Sequence, residues 1–186
     1  MSAYEAIILT IITASTPLLL AAIGELVVER SGVLNLGIEG MMVMGAVTGF
    51  AASYVTGSPW LGVLAAVLAG VATSMLFGLL TQTLMTNQVA TGLAITLLGL
   101  GLSGLIGSGF VGLPGVKLTS VSITGLTDLP YVGRLVFGQD PLVYVSVILT
   151  LSVAYILKHT RVGLIIRAVG QNHHSAHALG YRVVTV

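Results

Sequence analysis

The middle of the chain, residues 40–116, reads GMMVMGAVTGFAASYVTGSPWLGVLAAVLAGVATSMLFGLLTQTLMTNQVATGLAITLLGLGLSGLIGSGFVGLPGV. These 77 residues contain no Asp, Glu, Lys, Arg or His. Because a membrane-spanning helix needs about 20 consecutive apolar residues, the stretch is long enough for three spans. The tripeptides at 57–59 (Gly-Ser-Pro) and 86–88 (Thr-Asn-Gln) are typical of breaks between helices. The stretch therefore predicts spans near 41–56, 60–85 and 89–111.

Two further uncharged runs predict a first span near 6–28 and a fifth near 142–157. Polar and apolar residues do not alternate in these runs, as they would in a membrane β-strand. The sequence predicts an all-α fold: a polytopic membrane helix bundle of about five transmembrane helices, forming one domain over residues 1–186.

The composition of the whole chain supports a membrane location. Of its residues 55% are apolar and only 7% are charged, whereas a soluble domain has roughly 25% charged residues. This excludes a soluble enzyme, a disordered chain and a nucleic-acid-binding domain, so no nucleic acid partner is expected. The chain has 24 glycines, and pairs such as Ala66 and Gly70, four residues apart, predict close helix packing.

Basic residues predict the orientation, because cytoplasmic loops of membrane proteins carry an excess of Lys and Arg. With five spans, one side holds five basic residues and the other side holds only Lys117 and Arg134. We therefore expect residues 158–186 in the cytoplasm, the N-terminus outside and an external loop at 112–141. The five residues on the cytoplasmic side are Arg30, Lys158, Arg161, Arg167 and Arg182.

Residues 29–40, ERSGVLNLGIEG, carry the most chemistry between two spans. Ser31, Asn35 and Glu39 are spaced so that a helix would place all three on one face. Glycines in the same segment permit non-helical backbone, as in the broken helices that line transport sites. Two interpretations stay open: a short cytoplasmic turn, in which Glu39 stabilises the N-terminus of the next helix, and a re-entrant broken helix.

Glu25 lies one turn inside the first span, where a carboxylate usually faces a cavity or a partner. The residues that we expect to line a substrate pathway are Glu25, Asn35, Glu39 and Gln88.

The stretch ERSGVLNLGIEGMM, residues 29–42, resembles the permease subunits of bacterial ABC importers for branched-chain amino acids, simple sugars and nucleosides. It is most similar to the simple-sugar and nucleoside branch. RVG at 161–163 and RAVGQN at 167–172, followed by Ala176 and ALG at 178–180, are similar to the family's cytoplasmic segment that docks on the ATPase. Gln171 departs from the family, which usually has an acidic residue at this position.

The resemblance implies a transport subunit in the bacterial inner membrane that moves a small polar solute, a nucleoside or a simple sugar, by alternating access. It implies four partners: an ABC ATPase subunit, a second permease subunit (identical or different), an extracytoplasmic substrate-binding protein, and membrane lipid. Because family members continue with further spans, the chain is expected to be an N-terminal fragment. The coupling segment is expected at 158–182, with contacts to the ATPase from Arg167, Gly170, Asn172, Ala176, Leu179 and Gly180.

Asn172 and Gly180 are suited to cap a short helix at 173–179. His173 and His177 would share one face of this helix, but the chain has no Cys and no carboxylate follows Asp140, so we expect no metal site.

No G-x-x-x-x-G-K-[ST] motif and no catalytic residues are present. We therefore expect no enzyme and no bound cofactor, with ATP used by the partner ATPase. The alternative is an ion-coupled carrier or membrane-embedded enzyme that uses Glu25, Asn35 and Glu39.

Overall fold

The computed structural model describes residues 3–116, 118–120 and 137–172. Within these residues the chain is helical and contains no β-strand. Five helices are long and apolar enough to cross a membrane, which confirms the predicted all-α membrane bundle. The helices are α1 (Ala3–Arg30), α2 (Ile38–Thr56), α3 (Pro59–Gly78), α4 (Gln88–Gly107), α5 (Pro141–His159) and α6 (Arg161–Gln171); the last is too short to span.

The two breaks in the uncharged stretch have local causes. Gly57 has a left-handed backbone, with φ of 68°, and ends α2. Pro59 then occupies the first turn of α3, where its missing N–H would have no helical partner in any case. At the second break, the Asn87 side chain accepts a hydrogen bond from the Ala90 N–H, at 3.1 Å, and caps α4.

The described residues divide into two compact units. The first contains those of Met1–Val27 and Leu118–Ala168, and the second contains those of Val28–Lys117 and Val169–Val186. In the first unit α5 turns sharply into α6. The Thr160 hydroxyl accepts a hydrogen bond from the Gly163 N–H, at 3.2 Å, and a Cβ on Gly163 would lie 2.5 Å from the Leu157 Cα. Glycine is therefore required at this corner.

In the second unit α2 packs against both α3 and α4. Its contact with α3 depends on Gly62, where a Cβ would lie 2.7 Å from both the Gly49 O and the Ser53 Cβ. Its contact with α4 depends on Gly99, where a Cβ would lie 2.7 Å from the Gly40 Cα. Small residues allow membrane helices to approach this closely. The buried core at this point consists of Met41, Phe77 and Ile95, with Val33 and Leu80 packed against it.

Close helix packing, expected from the glycine content, is therefore present. Ala66 takes part in it, because a Cβ on Gly49 would lie 3.1 Å from the Ala66 Cβ, whereas a Cβ on Gly70 would meet no atom within 4 Å among the described residues. The closest glycine contacts are those of Gly62 and Gly99, each of which faces the backbone of α2.

Candidate functional site

The polar segment of residues 31–37 joins α1 to α2 and is not helical. It begins with a turn in which the Gly32 N–H donates to the Glu29 carbonyl, at 3.0 Å, and Gly32 has φ of 89°. This conformation favours glycine. The interpretation that Ser31, Asn35 and Glu39 share one helix face is therefore wrong, because α2 begins only at Ile38.

Asn35 organises the second half of this segment. The residue is buried, with 7% of its surface exposed. Its Oδ1 accepts a hydrogen bond from the Gly37 N–H, at 2.9 Å, while Nδ2 donates to the Met41 Sδ at 3.7 Å. An Asn side chain that bonds the backbone two residues ahead is a common way to stabilise a turn. Asn35 thus shapes the backbone that leads into α2.

One face of α4 holds the polar segment in place. The Leu34 N–H donates to the Gln88 Oε1 at 2.9 Å, and the Thr96 hydroxyl donates to the Leu36 carbonyl at 3.0 Å. Between these two residues Gly92 approaches the backbone so closely that a Cβ there would lie 2.8 Å from the Leu36 N. Gln88, Gly92 and Thr96 are four residues apart, so they form one face of the helix. The structure therefore brings Gln88 to the same site as Asn35.

The two carboxylates predicted to line the pathway belong to two different helices. Glu39 is exposed in the first turn of α2, where a negative charge is favourable for the helix dipole. Glu25 lies on α1 in the first unit, and its Oε2 is buried.

A group of threonines near Gln88 was missed by the sequence analysis. After α3 the chain forms a π-helical turn, Leu79–Thr83, and Met85 has a positive φ of 54°. The hydroxyls of Thr86 and Thr91 are hydrogen-bonded at 2.9 Å, and that of Thr81 donates to the Phe77 carbonyl at 2.9 Å. π-turns and strained residues are frequent at functional sites. The sequence did contain a signal for this group, namely threonines that recur every five residues in an uncharged region, at positions 81, 86, 91 and 96.

The coupling residues are described only in part. Arg167 and Gly170 lie on α6, which ends at the exposed Gln171, and Asn172 follows it. The Arg167 Nε donates to the Gly163 carbonyl at 3.3 Å. The predicted helix at 173–179 lies outside the described residues, together with His173, His177, Ala176, Leu179 and Gly180. Within the described part of the chain, no group of three His, Cys, Asp or Glu residues is placed to hold a metal ion.

Comparison with known sequences decides the family. The profile of the family described as "Branched-chain amino acid transport system / permease component" matches residues 7–186. The chain belongs to this permease family. The resemblance seen at 29–42 and 161–180 is thereby confirmed.

The curated relatives of this permease are sugar and nucleoside transporters. A putative glucose ABC transporter permease protein of Haloferax volcanii is 38% identical over 92% of the chain and 54% of its own length. The guanosine ABC transporter permease protein of Bacillus subtilis is 34% identical, over 95% of the chain and 60% of its own length. The nucleoside ABC transporter permease protein of Lactococcus lactis is 27% identical, over 96% and 60%. The permease chain thus spans little more than half the length of these relatives.

No solved structure gives a significant match to the permease. Its family and its five apolar helices make it a multi-pass membrane protein.

Proposed function

We propose that this chain forms part of the membrane-spanning subunit of an ABC importer that moves a nucleoside or a simple sugar by alternating access. The observation that carries the proposal is the polar segment, residues 31–37, held on the face of α4 by Gln88 and Thr96. Irregular backbone within a membrane protein is tolerated where it is buried in protein or lines a cavity. Transporters build substrate sites from such interrupted helices.

The chemistry of the segment favours a neutral polar solute. The polar side chains where the segment meets α4 are amides and a hydroxyl: Asn35 on the segment, and Gln88 and Thr96 on α4. Amides and hydroxyls both donate and accept hydrogen bonds, so they match sugar hydroxyls and the edges of a nucleobase. The names of the relatives, which specify glucose, guanosine and nucleosides, support the same class of solute. Glu39, exposed at the start of α2, is proposed to border this path.

Energy comes from a separate subunit in this proposal. The chain has no phosphate-binding motif of its own, and the coupling segment at 158–182 is proposed to dock on an ABC ATPase. A second permease subunit and an extracytoplasmic binding protein complete the importer. The excess of basic residues on one side supports a cytoplasmic coupling segment and an external N-terminus.

One observation favours the alternative of an ion-coupled carrier, namely the buried Glu25 Oε2 in a membrane-spanning helix. Carboxylates inside membranes often belong to proton relays. A carrier needs an ion gradient, whereas an ABC importer needs ATP, so the energy source separates the two functions.

The test is uptake of labelled guanosine or glucose into proteoliposomes that contain the full-length permease, its ATPase and its binding protein. We expect vanadate-sensitive uptake that requires ATP and persists when ion gradients are collapsed. Asn35→Ala and Gln88→Ala should each reduce uptake at least tenfold, while the control Ser74→Ala, at an exposed hydroxyl bonded within α3, should not. Gradient-driven uptake without ATP would contradict the proposal.

A further inference from the structure

The end of α6 rests directly on the turn that precedes the polar segment. A Cβ on Gly170 would overlap the Arg30 carbonyl oxygen and would lie 3.0 Å from both the Arg30 carbonyl carbon and the Gly32 N. The neighbouring Val169 is buried, with 2% of its surface exposed. Gly170 therefore contacts the backbone of the turn, and all of these residues belong to the same compact unit.

The turn itself is firmly held. The Ser31 and Val33 N–H groups both donate to the Val28 carbonyl, at 3.1 and 3.3 Å. The Ser31 hydroxyl donates to the same carbonyl at 2.6 Å. Several hydrogen bonds to the last turn of a helix fix the direction in which the chain leaves it. A displacement applied at Arg30 or Gly32 is thus passed on to the residues that follow.

Those residues are the ones bound to α4. Leu34, two positions after Gly32, donates to Gln88, and Asn35 comes next. The path from Gly170 to Gln88 therefore consists of one backbone contact, one tight turn and one hydrogen bond. The three atoms that would lie nearest to a Cβ on Gly170 all belong to the backbone, and packed backbones shift between discrete arrangements instead of deforming gradually.

We infer that Gly170 is a positioning residue that links the coupling segment to the polar segment on α4 through the Arg30–Gly32 turn. This inference rests on the proposed function, because it assumes that an ATPase moves α6. In the transport cycle, movement of the end of α6 shifts the turn, and the turn shifts Leu34 and Asn35 relative to α4. The contact thereby couples hydrolysis to the state of the solute path.

The first test compares two Gly→Ala variants of the full-length permease in complex with its ATPase. Gly170→Ala places a methyl group on the turn, whereas Gly104→Ala, in α4, meets no atom within 4 Å among the described residues. The measurement is the amount of solute imported per ATP hydrolysed in proteoliposomes. We expect Gly170→Ala to lower this ratio at least fivefold in complexes that retain the ATPase, whose amount is measured by co-purification. The Gly104→Ala ratio should equal that of the unaltered protein.

A loss of folded protein would lower uptake and hydrolysis together, so it cannot by itself lower the ratio. A lowered ratio therefore supports the inference, and an unchanged ratio for Gly170→Ala overturns it. If the unaltered protein imports nothing with ATP, the proposed function fails, and this inference fails with it. If the unaltered protein imports solute with ATP and the Gly170→Ala variant keeps its ratio, the inference fails and the proposed function stands.

A second measurement does not depend on the fold of a Gly170 variant. Because residues 1–186 contain no cysteine, spin labels can be attached at Glu29→Cys and Gln171→Cys, both at exposed positions. We expect the distance between the labels to stay constant, with and without ATP and vanadate, since the two sites move together. A change of about 5 Å, the rise of one helical turn, would show that α6 slides past the turn and would contradict the inference.

Discussion

The two ends of the α2–α4 pair are built in different ways. At one end Gly40 and Gly99 bring the backbones together, and Thr96 bonds the Leu36 carbonyl. At the other end α2 contributes Phe50 and Tyr54, which lie edge-on to Phe110 with ring centroids 6.2 and 6.0 Å apart. The glycine end depends on directional hydrogen bonds and on the absence of side chains. The aromatic end depends on apolar contacts, which are less sensitive to direction.

This difference indicates which end of the helix pair is the better candidate for a role in transport. Apolar packing tolerates substitutions that keep size and shape. The aromatic end can therefore hold α2 and the end of α4 together without a specific hydrogen bond. At the glycine end the backbone groups of Leu34 and Leu36 are instead hydrogen-bonded to Gln88 and Thr96 on one face of α4, and such directional bonds are lost when the side chain is replaced by an apolar one. We therefore expect function to be concentrated at the glycine end.

The largest effect is expected for Gly99→Ala. The added methyl group would lie 2.7 Å from the Gly40 Cα, and overpacking of this kind costs roughly 1–3 kcal/mol. The control is Gly101→Ala on the same helix, where nothing lies within 4 Å among the described residues; it should stabilise slightly, because Ala is the better helix former. The free energy of unfolding in detergent micelles is the measurement. Equal stability of the two variants would mean that the α2–α4 contact is looser than described.

A smaller effect is expected for Thr96→Val, which keeps the size of the side chain but removes the hydrogen bond to the Leu36 carbonyl. The loss should be about 1 kcal/mol, with a clear reduction in solute uptake. Thr73→Val is the matched control, because the Thr73 hydroxyl donates to the carbonyls of Ala69 and Gly70 in its own helix, α3. If both variants transported alike, the hydrogen bond across the helices would be irrelevant to function.

The smallest effect is expected at the aromatic end. Tyr54→Phe keeps the ring contacts with Phe50 and Phe110 and removes only a hydroxyl on a side chain that is 40% exposed. The stability should change by less than about 0.5 kcal/mol, as for most exposed substitutions, and uptake should be unchanged. A severe transport defect in this variant would reverse the proposed division between the two ends.

The helices could be predicted from the sequence because their signal is local. Charge-free runs mark the spans, and Pro59 and Asn87 mark helix starts by their own backbone or side-chain chemistry. The polar segment could be located in the same way, since its amides and glycines stand out between two apolar runs. The conformation of the segment could not be predicted.

That conformation depends on partners far away in the sequence. Leu34 is bonded to a residue 54 positions later, and Leu36 to one 60 positions later. The i, i+4, i+8 pattern was assigned to Ser31, Asn35 and Glu39, but the pattern that holds the segment together is that of Gln88, Gly92 and Thr96. Gly92 is required because Leu36 lies against it, and this cannot be read from either stretch alone.

The central claim, that the polar segment on α4 lines the solute path, is tested most directly by protection of an introduced cysteine. Leu34 is exposed beside Gln88, so a Leu34→Cys variant of the full-length importer should react with a small polar thiol reagent. Val111→Cys, at an exposed position after the end of α4, is the control. We predict that guanosine or glucose, whichever is transported, slows labelling at position 34 several-fold and leaves position 111 unaffected. Equal labelling rates at position 34 with and without solute, in a variant that still transports, would contradict the claim.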